Sequence, residues 1–314
     1  MHRPGRRRRL LAVGAALLLL ASAAVVFPDL IGRLVPPLLY FPERLDPEAR
    51  QPVGWGLSGA EEVRLETADR FVLHGWWVRA SGHGAAEHSA AEHGTAEHAA
   101  AGRGAAIFFH GNAGHLGYRA PIAADLARLG LDVLLFDYRG YGLSEGRPRE
   151  EGLYLDAAAA YLHVRDVRGV DPARILLIGH SLGGAVAAWT ASEYPAAGLV
   201  VTGTFRSVPQ MARRLHPWIP WRLLRWKRNR FDAESRIAGA RMPVLVGRGG
   251  ADELIPREET RALFEAAPEP KRWREIPGAG HNDLWSHPEM WRELEIFVEE
   301  TLGPRLYGKE EGAK

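Results

Sequence analysis

Two hydrophobic patterns alternate along the chain from residue 63 onward. Residues 63–67 alternate apolar with polar, residues 68–69 make a short turn, and residues 71–78 are aromatic and β-branched. That pattern predicts a β-hairpin. Beyond it, continuous apolar runs at 105–109, 133–136, 175–178, 199–202 and 244–246 alternate with helical periodicity at 121–129, 153–164 and 185–193. Strands without a polar face must be covered on both sides, and the helices between them supply the cover. The pattern predicts an α/β fold with a mostly parallel central sheet and helices on both faces. Residues 208–241 fall between two of these strands and read as a small cap.

Outside this region the pattern changes. Residues 10–27 are uncharged and apolar and follow Arg3 and Arg6 to Arg9. Eighteen residues are about the minimum for a helix to span a bilayer. Ala21-Ser22-Ala23 also fits a signal-peptidase site. The apolar run continues past it to Phe27, which favours an uncleaved anchor over a cleaved signal. Either reading puts the remaining chain outside the cytoplasm, and a cleaved segment would release it. A buried helix of the domain is the third alternative. Residues 1–34 are thus set apart from a domain over 35–302 and a tail over 303–314. Residues 81–104 are low in complexity, with Ala-Glu-His recurring every five residues. That period holds His88, His93 and His98 on no single face, so a solvated loop is expected ahead of a metal-binding tract.

Composition changes the picture little. The 314 residues carry 40 Lys and Arg against 38 Asp and Glu, and five of the basic residues precede residue 10. No acid occurs between Glu193 and Asp232, where eight basic residues do. Basicity that local argues against nucleic acid as a partner. No cysteine is present, which excludes disulfides, thiolate metal sites and a cysteine nucleophile.

The candidate chemistry centres on Gly179-His180-Ser181-Leu182-Gly183. A G-x-S-x-G match alone is weak, and Gly142-Leu143-Ser144-Glu145-Gly146 matches too. Only the first has an apolar run directly before it and a helix pattern directly after, as a nucleophile elbow requires. Ser181 is therefore the candidate nucleophile and Ser144 a turn residue. A serine hydroxyl needs a base that is itself oriented by an acid. His281 follows the alternating strand pattern at 273–276 in a Gly-rich loop and is the candidate base. His287 reads as surface at a helix start, and His216 lies in the cap. Asp252 follows the run at 244–246 by a short loop and is the candidate acid, ahead of Glu253 and Asp283. An acyl-transfer site also needs oxyanion donors. The backbone N–H of Leu182 is one candidate and that of Asn112 the other, with Ala113 as its alternative. No Walker lysine and no G-x-G-x-x-G follow this loop, so nucleotide binding is poorly supported.

Four segments taken together carry a resemblance: Phe108-Phe109-His110-Gly111-Asn112-Ala113-Gly114, Asp137-Tyr138-Arg139-Gly140-Tyr141-Gly142, Gly179 to Gly184, and Gly278-Ala279-Gly280-His281-Asn282-Asp283. They resemble the α/β-hydrolase superfamily, in particular a branch with an N-terminal membrane segment and an HGNAG oxyanion loop. That branch includes bacterial serine hydrolases and eukaryotic depalmitoylases. The resemblance implies a serine hydrolase of the carboxylesterase or thioesterase type, without cofactor or metal, acting through Ser181, Asp252 and His281. Arg248-Gly249 departs from the His-Gly usual before the acid loop, which points to an altered site rim. An amide hydrolase and a non-catalytic binding protein on the same fold remain alternatives. Trp218, Trp221 and Trp226 among the basic cap residues suggest contact with an anionic membrane surface, a reading set against ordinary packing of the cap.

Overall fold

Residues 39–81, 103–215, 217–218 and 228–304 are described by a computed structural model. The predicted hairpin forms from β1 (Glu61–Glu66) and β2 (Val72–Val78), paired antiparallel with Val63 opposite Gly75. The apolar runs follow as β3 (Gly104–Phe109), β4 (Leu131–Phe136), β5 (Ile175–His180), β6 (Gly198–Thr202), β7 (Val244–Gly249) and β8 (Lys271–Ile276). The eight strands make one sheet in the order β8-β7-β6-β5-β3-β4-β2-β1. All neighbours are parallel except β1 with β2 and β2 with β4.

Helices α1 (Ala120–Arg128), α2 (Glu150–Leu162), α3 (Leu182–Glu193), α4 (Val208–Leu215), α5 (Ala233–Ile237), α6 (Arg257–Ala266) and α7 (Pro288–Leu302) follow in chain order. Successive strand side chains point to opposite faces, and the core divides accordingly. Ile107, Leu177 and Val246 join a cluster with Leu153 of α2, Val186 of α3 and Leu263 of α6. Their neighbours Phe108, Ile178 and Leu245 join one with Leu126 of α1 and Phe297 of α7. Each fully buried side chain of this size contributes about 1.5–3 kcal/mol, so the two faces hold the sheet strongly.

The insertion between β6 and β7 is only partly a separate lid. Its α5 packs against α3 and α6 as part of the helical layer. Val208 and Met211 of α4 pack against the α2–α3 face. Trp218 is exposed, whereas His216, Trp221 and Trp226 lie outside the described residues. The 10–27 run, the three-histidine tract and residues 305–314 lie outside them as well. Among the described residues no helix is long and apolar enough to cross a membrane.

Beside the hairpin, a buried cation ties the sheet to α2. The Arg139 guanidinium donates to Asp156 at 2.9 Å and to both oxygens of Asp69 at 2.8 and 2.9 Å. Phe71 stacks under it at 4.9 Å. The hydrogen bonds from Arg139 hold the Asp69 carboxyl down at about 2. Burial pushes Asp156 up to about 6, even with the same guanidinium opposing it.

Candidate active site

In a parallel sheet the carboxyl ends of the strands share one edge, and the loops leaving them can converge. Ser181 leaves β5, Asp252 follows β7 and His281 follows β8. The first of these loops is a sharp turn. Ser181 has φ 56° and ψ −120°, a conformation that costs a non-glycine residue about 1–3 kcal/mol. The surroundings over-determine it. The Ser181 N–H donates to the Thr202 carbonyl at 2.8 Å, and the Ser181 carbonyl accepts from the Thr204 hydroxyl at 3.1 Å and from the Gly184 N–H at 3.0 Å. Gly183 allows α3 to start this close to β3, since a Cβ there would run into the carbonyls of Phe109 and His110.

One imidazole joins the three predicted residues. His281 Nδ1 lies 2.8 Å from Asp252 Oδ2, and its Nε2 lies 3.0 Å from Ser181 Oγ. A carboxylate only accepts, so Nδ1 carries the proton and Nε2 is free to accept from the serine. The Asp252 and His281 side chains are buried to 1% and 8% exposure, which shields their hydrogen bond from water. Burial pushes the Asp252 carboxyl up, but hydrogen bonds from His281 and from the N–H groups of Ile255 and Leu254 outweigh it. The net direction is down, so Asp252 stays ionised. Asp283 instead accepts from the Gly280 N–H at 2.6 Å and shapes the loop. Glu253 is exposed, and His287 sits at the start of α7, 3.6 Å from Asp283.

Opposite Ser181 runs the 110–114 loop. Gly111 packs directly against the serine, where a Cβ would sit 3.5 Å from Ser181 Cβ. His110 Nδ1 donates to the Gly111 carbonyl at 2.7 Å. A trans peptide places the next N–H on the opposite side, so this bond fixes the direction of the Asn112 N–H. Tyr141 OH then anchors the Asn112 carbonyl at 2.7 Å. Among the described residues nothing accepts from the N–H of Asn112 or of Leu182.

Beneath this loop sits a pair the sequence reading missed. His110 Nε2 and Asp137 Oδ1 are 3.5 Å apart and fully buried. Burial lowers His110 to about 3 and pushes Asp137 well above the usual carboxylate range. Asp137 also accepts the Leu116 N–H at 2.7 Å and so holds the far end of the loop. Both residues stand within the quoted motifs, but a strand-end Asp and a loop His carry no signal of mutual contact. His180 is a second neutral imidazole, lowered to about 3 by burial and then by His281, whose ring lies 4.9 Å away.

Two expectations resolve simply. Ser144 is fully buried in a turn, its hydroxyl donating to the Asp137 carbonyl at 2.7 Å and accepting from the His74 N–H at 2.9 Å. Arg248 does not alter the rim. It is 3% exposed and pairs with Glu275 of the adjacent strand at 2.8 Å, in direct register.

A sequence profile of the alpha/beta hydrolase fold matches residues 106–236. An uncharacterised protein of Mycobacterium tuberculosis is 38% identical over 84% of this chain and 87% of its own length. The chain belongs to the α/β-hydrolase family. Another relative of this hydrolase is the alpha/beta hydrolase domain-containing protein WAV2 of Arabidopsis thaliana, 30% identical over 80% of the chain and 82% of that protein. Among solved structures, an esterase of Pyrococcus furiosus superposes with a TM-score of 0.62 at 19% identity, covering 84% of this hydrolase and 98% of that chain. At that identity the likeness speaks for the fold alone.

Proposed function

We propose that this α/β-hydrolase is a serine hydrolase cleaving an ester or thioester through an acyl-enzyme on Ser181. The observation that carries the reading is the single imidazole of His281 bridging Ser181 Oγ and Asp252 Oδ2. His281 Nε2 takes the hydroxyl proton as Ser181 Oγ attacks the acyl carbon. Asp252 steadies the imidazolium that forms. The negative oxygen of the tetrahedral intermediate is received by the N–H groups of Asn112 and Leu182. His281 returns the proton to the leaving alcohol or thiol as its bond to the acyl carbon breaks. Water then repeats the sequence, with His281 as base, and releases the acid. No step calls on a metal or organic cofactor.

Residues 10–27 suit a single membrane anchor that holds the domain outside the cytoplasm, against lipid-like substrates. A fluorophosphonate probe should label the full-length protein at Ser181, and the label should vanish in Ser181→Ala. A panel of p-nitrophenyl esters, a palmitoyl thioester and an aminoacyl anilide assigns the bond. Turnover of the anilide alone would make it an amide hydrolase. No labelling and no turnover would leave a binding protein. N-terminal sequencing of membrane-bound protein tests the anchor, which a mature start at Ala24 in a soluble protein would sink.

A further inference from the structure

Beside the His281 loop, on the face of the sheet opposite α4, lies a surface cavity of about 550 Å³. Tyr118, Arg119, Ile122, Asn282, Trp285 and Trp291 line it. The N-termini of α1 and α7 border it, each reached by the loop that leaves a strand at the edge that carries Ser181. Helix N-termini favour negative charge. In α7 that preference is met within the helix by Glu289, which pairs with Arg292 at 3.4 Å. In α1 it is reversed: the first turn holds no acid, and the N-cap residue is Arg119.

A cation at the positive end of a helix weakens that helix, and local conflicts of this kind concentrate at functional positions. Arg119 is half-buried, and its hydrogen bond runs to the Ala113 carbonyl at 3.4 Å. Asp137 is the carboxyl closest to it in electrostatic effect, and burial pushes that carboxyl up. Asp125 on the cavity wall is already paired with Arg128, and Glu43 accepts the Tyr118 hydroxyl at 2.9 Å. Trp285, only 7% exposed, has an Nε1 with no acceptor among the described residues. The cavity offers a half-buried guanidinium with no carboxylate hydrogen-bonded to it among the described residues, and aromatic walls.

Its place relative to the chemistry gives the cavity a role. The proton returned by His281 goes to the leaving group, so the leaving group must lie beside the His281 loop. Asn282, the next residue, is on the cavity wall. We propose that this cavity is the leaving-group subsite and that it selects esters whose alcohol or thiol portion carries a carboxylate or phosphate, bound by Arg119. The proposal rests on the hydrolase reading above.

The test compares phenyl butyrate with 3-carboxyphenyl butyrate and 3-(phosphonooxy)phenyl butyrate on the full-length protein. The acyl group is constant, so the ratio of kcat/KM, anionic over neutral, reads the subsite alone. The wild type should favour at least one anionic ester by about tenfold, the usual scale of one charge-assisted hydrogen bond. The arm with the larger ratio identifies carboxylate or phosphate as the source. Arg119→Gln should lower that ratio about tenfold and Arg119→Lys should restore part of it. An unchanged ratio in Arg119→Gln overturns the subsite and leaves the hydrolase standing. Failure to turn over any of the three esters overturns the hydrolase reading, and the subsite with it. Should Arg119→Gln not fold, the wild-type ratio is measured at about 20 mM and about 500 mM NaCl. A half-exposed ion pair weakens with screening, so a preference that does not fall with salt also overturns the subsite.

Discussion

Gly203 tests how the site is held together without touching any reacting atom. It follows β6 with φ +53°, a backbone region that costs an L-residue about 1–2 kcal/mol. A Cβ built there would stand 3.2 Å from His281 Cε1 and Nδ1 and 3.4 Å from Asp252 Oδ2. Ordinary contacts at such atoms are a few tenths of an ångström longer, so something must give. The Gly203 N–H donates to the Gly247 carbonyl at 3.0 Å, which ties the backbone to β7. The displacement in Gly203→Ala therefore falls on the imidazole. A misplacement of about 1 Å costs about a hundredfold in rate, so a shift of a few tenths should cost about tenfold. We expect kcat for p-nitrophenyl butyrate to fall about tenfold with little change in KM. The backbone strain should lower Tm by about 2–4 °C. Steady-state kinetics and thermal melting on the same preparation check both. A variant that loses this stability yet keeps kcat within about twofold of wild type would show that Gly203 does not set the position of His281.

The remaining predictions concern the site and its supports. Ser181→Ala should lower kcat by about 10⁵–10⁶ and His281→Ala about as much, with no further loss in the double variant, while Asp252→Asn should cost about 10³–10⁴; additive losses would mean that the residues do not act as one unit. Arg139→Ala leaves Asp156 buried without its partner and should cost about 3–5 kcal/mol in urea denaturation. His110 and His180, both lowered to about 3, should show no imidazole titration by NMR between about pH 8 and 4. Their pKa is lower folded than unfolded, so the neutral rings contribute stability in full above about pH 6.5, and it is lost as pH falls toward 3. A ring that titrates near 6.5 in the folded protein would refute the burial argument for that residue.

How much of this was legible in the sequence follows from the range of each interaction. The buried strands carried unbroken apolar runs, and the observed strands contain every one of them. Ser181 was separable from Ser144 because an elbow is a local pattern of strand, turn and helix. Asp252 and His281 were reachable because chain order and strand ends limit the candidates. The Arg139 cluster was not legible, since Asp69, Arg139 and Asp156 are spread over three elements and their contact is purely tertiary. The expectation for Arg248 failed for the same reason: its partner Glu275 is set by the register of β7 on β8. The part of the insertion that forms α5 gave no sign of its packing, because five residues are too few to display a period.

The groups that sequence reading missed also explain how charge is distributed around Ser181. Burial pushes His110 and His180 down and Asp137 up. Asp252 escapes because Leu254, Ile255 and His281 all donate to it. The ionised carboxylate of the site therefore lies behind the imidazole, where a positive charge would form during attack. The 110–114 loop faces the serine with backbone N–H groups over the buried His110–Asp137 pair. A full negative charge on Asp137 would lie beneath the loop proposed to receive a negative oxygen, and the Coulomb cost would grow with the dryness of the site. Asp137 braces the loop through the Leu116 N–H, and its burial works against a negative charge at that position.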